Sequence, residues 1–69
     1  MNNDIAAGKW KQLLGKAKAT WGKLADDELM RVEGHAERLV GLIQERYGKT
    51  RDEAEREVHR WLETHGPRH

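Results

Sequence analysis

The chain has no cysteine, which excludes disulfide staples, thiolate zinc sites and thiol chemistry together and leaves the fold to rest on packing. No stretch approaches the ~20 apolar residues of a membrane span. Met1 to Ala7 lacks the basic start and apolar run of a secretory signal, so a cytoplasmic protein with no transmembrane segment is expected. No segment alternates strictly between apolar and polar residues or gathers β-branched ones, which removes strands from the expectation. A phosphate-cradling loop is missing too, because Gly15-Lys16 and Gly22-Lys23 lack the rest of such a motif. With no serine–histidine or other nucleophile pair and no distinct acid–base pair of carboxylates, no catalytic residue, no cofactor and no enzymatic activity are expected.

What is present is glycine in a pattern. Six of the seven glycines form two ladders, Gly8, Gly15, Gly22 and Gly34, Gly41, Gly48, each rung seven residues above the last and the second ladder displaced by twenty-six. A fixed displacement marks an internal duplication. Laying residues 8–33 over 34–59 pairs Leu13 with Leu39, Trp21 with Tyr47, Lys23 with Lys49, Asp26 with Asp52 and Val32 with Val58.

Sixty-nine residues allow a single small domain, and a chain of that length buries only about 60% of its unfolded surface. Hydrophobic and charged residues each make up 36%, near the polar edge of what folds alone. Trp10, Trp21 and Trp61 argue that a core exists, since disordered chains are poor in aromatics.

Helical spacing then organises the chain. Trp10, Leu13, Leu14, Ala17 and Trp21 recur at offsets 0, 3, 4, 7 and 11, predicting a helix over about 9–21 that Gly22 ends in a left-handed cap. A short second helix is expected over 27–33, with Asp26 as N-cap, Leu29 and Val32 inward and Met30 as a flanking contact. Ala36, Leu39, Val40, Ile43 and Tyr47 give a third helix over 35–47, ended by Gly48. Thr50 and Glu53 form a capping box that opens a fourth over 51–64, with Ala54, Val58, Trp61 and Leu62 inward. Gly66 and Pro67 terminate it, and residues 1–7 and 65–69 are expected to fray. The fold class is therefore all-α: a small four-helix domain of two crossed helical hairpins, the crossing favoured over a parallel bundle by the shortness of the second helix in each pair. The rival is a continuous helix from Asp26 to Tyr47 through Gly34, giving three helices.

Two glycines resist this scheme. Gly8 and Gly34 mark helix starts and Gly22 and Gly48 helix ends, but Gly15 and Gly41 lie in helix interiors, where glycine costs about 1 kcal/mol relative to alanine. Either they admit a close-packed neighbour or an interface, or they are tolerated in a marginal protein.

Candidate chemistry is sparse. His35, His59, His65 and His69 invite a metal, and His59 with Glu63 has i,i+4 spacing, but a stable site needs more oriented ligands, so no metal is expected. Glu53, Glu55, Arg56 and Glu57 read as a solvated face. Residues 1–25 carry five lysines against Asp4, a charge of +4, whereas residues 26–69 sum to −3. This asymmetry favours self-association or loose anion contact. Lys9, Lys11, Lys16, Lys18 and Lys23 beside Trp10 and Trp21 are the candidate anion contacts of a nucleic-acid reading, and a basic, apolar helix suits a membrane surface. Both tryptophans fall on the core stripe, which argues against stacking.

Trp10-Lys11-Gln12, Gly15-Lys16, Trp21-Gly22-Lys23-Leu24 and Asp26-Asp27-Glu28-Leu29 together form a recognisable pattern. With Glu33-Gly34, Leu39-Val40-Gly41, Ile43 to Gly48, Ala54-Glu55 and Glu57-Val58, the chain resembles, over nearly its whole length, the CsbD-like family of small bacterial stress proteins, close to its YjbJ type. The resemblance implies a soluble helical bundle of two crossed hairpins, a place in the general stress or stationary-phase response, and no reaction. It carries no catalytic or ligand residues over to this chain. The expected function is noncatalytic, through weak protein–protein contact or protection, with nucleic-acid association by the lysine-rich first helix as the alternative.

Overall fold

The apolar stripes become four α-helices in the computed structural model, which describes residues 5–65: α1 (Ala7–Thr20), α2 (Asp26–Val32), α3 (Ala36–Tyr47) and α4 (Arg51–His65). No strand occurs among the described residues. Gly66, Pro67, His69 and the first four residues lie outside them. The α1–α2, α2–α3 and α3–α4 pairs pack against one another. The Cα radius of gyration, 10.8 Å, matches the about 11 Å expected of a globule this size, so the stripes close on one core.

The core holds Trp10, Leu13, Ala17 and Trp21 from the first stripe, Leu29 and Val32 from α2, Leu39, Val40 and Ile43 from α3, and Ala54, Val58 and Trp61 from α4. Trp61 packs edge-on against Trp10 and tilted against Trp21, with ring centroids 6.2 and 5.1 Å apart. Each indole N–H has a partner on another element, as a buried tryptophan requires. Trp10 donates to the Leu29 carbonyl at 2.7 Å, Trp61 to the Thr20 hydroxyl at 2.9 Å, and Trp21 to the Glu57 carboxylate. Three aromatic anchors thus fix α1 to α2 and to α4.

Helices 2 and 3 are separate, which removes the continuous-helix rival. A seven-residue helix leaves its last four carbonyls without helical partners, and here each finds one. Leu29 O takes the Trp10 indole, Met30 O the Glu33 N–H, Arg31 O the Arg38 guanidinium, and Val32 O the His35 N–H. The break is made by two successive left-handed residues, Glu33 at φ 52° and Gly34 at φ 87°.

Several local expectations change. Gly34 is not a helix start: it lies in this turn, buried, and its carbonyl accepts the Ile5 N–H at 2.7 Å. Gly22 is not a left-handed cap. Instead α1 ends at Trp21, whose N–H bonds Ala17 O, and the Lys18 ammonium satisfies the carbonyls of Gly22 and Leu24. Asp26 is the first residue of α2 rather than its N-cap, and Ala25 takes that place, with Glu28 accepting the Ala25 N–H at 3.0 Å. Gly48 does end α3 left-handed, at φ 65°, and Thr50 and Glu53 exchange the expected capping-box bonds at 3.1 and 3.2 Å.

Candidate functional site

Along one flank of α1, Gly8, Lys11, Gly15 and Lys18 follow at three- and four-residue intervals, so they line a single edge of the helix. Across from them lies α2, too short to cover the whole of α1. Between the two runs a shallow groove lined by Gly8, Trp10, Lys11, Leu14, Met30 and Glu33, continuing past Leu14 and Met30 to Gly15, Lys18, Asp26 and Leu29. Its floor is apolar and its rims are charged, lysine on the α1 side and carboxylate on the α2 side. Met30, expected as a flanking contact, is 57% exposed and is the large hydrophobic side chain left open among the described residues. Its signal in the sequence is an apolar residue between Leu29 and Val32 that is off the α2 stripe.

The two unexplained glycines border grooves on opposite sides of α2. Gly15 lies on the α1 side, and Gly41 lines a second groove with Glu28, Arg31, Val32, Arg38, Leu42 and Glu45. A Cβ at either glycine would meet no described atom within 4 Å, so neither holds a close contact inside the fold. The close approach is at Gly34, where a Cβ would fall 1.8 Å from the Ile5 carbonyl oxygen.

The candidate lysines divide by role. Lys18 is a structural cap, bonded to two carbonyls and 3.7 Å from Asp26. The Lys23 ammonium sits 5.2 Å from the Tyr47 ring centroid, and its backbone N–H donates to the Tyr47 hydroxyl at 3.1 Å. Lys9, Lys11 and Lys16 are exposed and make no ion pair among the described residues. Trp10, Trp21 and Trp61 are 3%, 1% and 5% exposed, so none offers a face for base stacking.

Glu57 departs from the solvated face on which the sequence places it. It is half-buried, and its carboxylate receives both the Trp21 indole N–H and the Lys49 ammonium. Burial pushes its carboxyl up, but these two donors together with the positive charges of Lys49 and Arg60 hold it below the ordinary carboxylate value. The histidines among the described residues do not converge. His59 lies 3.6 Å from Glu63, the His65 ring packs tilted against Trp61, and no group of three or more potential metal ligands occurs among the described residues.

The CsbD-like family profile matches residues 4–56. The chain belongs to the CsbD-like family. It is 71% identical over 63 residues to a UPF0337 protein of Bordetella pertussis, covering 91% of this chain and 96% of that one. A UPF0337 protein of Pseudomonas aeruginosa is 59% identical over 58 residues, or 84% of this chain and 89% of its own. The UPF0337 protein YjbJ of Escherichia coli K12 is 56% identical over 61 residues, 88% of each. The groove of this CsbD-like protein lies wholly within the matched segment, whereas Trp61 and His65 fall beyond it. No helix among the described residues is long and apolar enough to cross a membrane.

Proposed function

We propose that this CsbD-like protein is a noncatalytic, cytoplasmic component of the bacterial stress response that acts by weak contact with protein through the α1–α2 groove. The observation that carries the reading is Met30, exposed at the centre of an apolar strip between charged rims. Exposed apolar side chains gathered in a rimmed depression are the usual chemistry of a protein contact. The strip is shallow and short, which suits an abundant protein making weak contacts. Family membership supports the stress setting. The alternative reading, nucleic-acid association, retains Lys9, Lys11 and Lys16 as exposed cations but lacks exposed aromatic rings. Survival of a deletion strain complemented with wild type or Met30→Glu tests the proposal, with the variant expected to fail.

A further inference from the structure

The internal duplication supplies a control for the groove. Displacing its residues by twenty-six places Val40 at the position of Leu14 and Arg56 at that of Met30. Val40 is 1% exposed whereas Leu14 is half-buried, and an arginine replaces the open methionine. Gly34, the counterpart of Gly8, is covered by Ile5. The second repeat thus closes or polarises the counterparts of Gly8, Leu14 and Met30, while Gly41, the counterpart of Gly15, stays open.

The rims say what fits the open strip. Lys11 and Glu33 line one end of the groove from opposite sides, whereas at the other end Lys18 and Asp26 lie 3.7 Å apart and pair within the chain. A two-fold axis running along the groove would lay Lys11 of each copy on Glu33 of the other, a self-complementary arrangement. Such an operator also brings each Met30 onto the partner's Leu14. We infer that the α1–α2 groove is a self-association surface whose occupant is a second copy of this chain. The inference rests on the groove being a protein-contact surface, as proposed above, and adds the partner.

Its strength follows from size. The chain exposes 4744 Å², and a standard interface of about 800 Å² per partner would take roughly one-sixth of that. A strip between one helix of 14 residues and one of 7 covers less, so the dimer belongs to the weak, transient class.

Sedimentation equilibrium of the full chain, from about 10 μM to about 1 mM at low salt, tests this, since that range brackets the weak class. Wild type is expected to show a monomer–dimer equilibrium that added salt weakens. Met30→Glu is expected to weaken it at least about tenfold. Lys11→Glu and Glu33→Lys each place like charges opposite one another and are expected to remain monomeric alone. Mixed in equal amounts they restore both opposite-charge pairs and are expected to form a heterodimer. Far-ultraviolet circular dichroism confirms that each variant is folded, a necessary control because Glu33 also pairs with Arg38 at 2.9 Å. A wild type that stays monomeric throughout, or a mixture no more associated than its components, would overturn the inference. A monomeric wild type whose stress function is still lost with Met30→Glu would assign the groove to another protein, sinking self-association while leaving the proposed function standing.

Discussion

Gly34 carries a constraint that no local pattern discloses. Its place in the glycine ladder suggests a helix start, but its positive φ and the 1.8 Å approach of a hypothetical Cβ to the Ile5 carbonyl make it a crossing point between the N-terminal segment and the α2–α3 turn. Sequence spacing registers contacts one helical turn apart, and Ile5 is far away along the chain. Gly34→Ala is therefore expected to destabilise by more than about 2 kcal/mol, through strain and displacement of Ile5. Gly15→Ala and Gly41→Ala, with open space around each, should instead stabilise by up to about 1 kcal/mol each. Urea denaturation of the three variants measures this directly. Equal effects at all three would mean that the Ile5–Gly34 contact has little weight.

Glu57 was equally hidden, because its place among Glu53, Glu55 and Arg56 marks a polar face and only the fold brings Trp21 and Lys49 to it. Three carboxyls are held below their ordinary value: Glu57 against its own burial by Lys49 and Trp21, Glu28 by Arg46 and the Ala25 N–H, and Glu53 by the backbone N–H and hydroxyl of Thr50. The folded protein thus binds fewer protons than the unfolded chain near that value. The stability they contribute is complete above an ordinary pKa of 4.5 and is lost as pH falls through the lower folded values. Thermal melting between pH 7 and pH 3, a range chosen to span these carboxyl titrations, should show a falling acid limb. Glu57→Gln, which keeps an oxygen for the Trp21 indole, should make it shallower. An unchanged slope would show that the Lys49 and Trp21 donors do not set the Glu57 titration.

At the scale of the element, helix identity was legible and helix ends were legible only where the capping group is local. The offsets shared by Trp10 to Trp21 and Ala36 to Tyr47 place α1 and α3 because a stripe at that spacing has one way to be buried. The Thr50–Glu53 box and Gly48 are local and come out as read. At α2 the expected cap failed: Asp26 lies 3.7 Å from Lys18 inside the first turn, and Ala25 at the N-cap has no side-chain oxygen to offer the Glu28 N–H. The two starts therefore make a matched pair. Thr50→Ala should cost roughly 0.5–2 kcal/mol, and Ala25→Ser, which supplies the missing half of the box, should stabilise by up to about 1 kcal/mol. Chemical denaturation reads both, and a neutral Thr50→Ala would mean that α4 is held by its packing alone.

The whole molecule has little stability to spare. At typical values a chain of this length folds with roughly 3–10 kcal/mol, and truncating a buried tryptophan costs about 3–5. Trp10, Trp21 and Trp61 are thus unsuited to probing function, and exposed positions are needed. The all-α core was legible because the stripes are periodic; the groove was not, because it arises where a short α2 leaves a longer α1 uncovered. Met30 and Arg56 occupy equivalent places in the two repeats, one in the open groove and one on the polar face of α4. They allow function to be probed without touching the core. The most direct measurement is survival of the deletion strain through prolonged stationary phase, complemented at equal protein levels with wild type, Met30→Glu or Arg56→Glu. The groove account predicts that deletion lowers survival, that wild type and Arg56→Glu restore it, and that Met30→Glu does not. A deletion without effect, or Met30→Glu restoring survival as fully as Arg56→Glu, would contradict it.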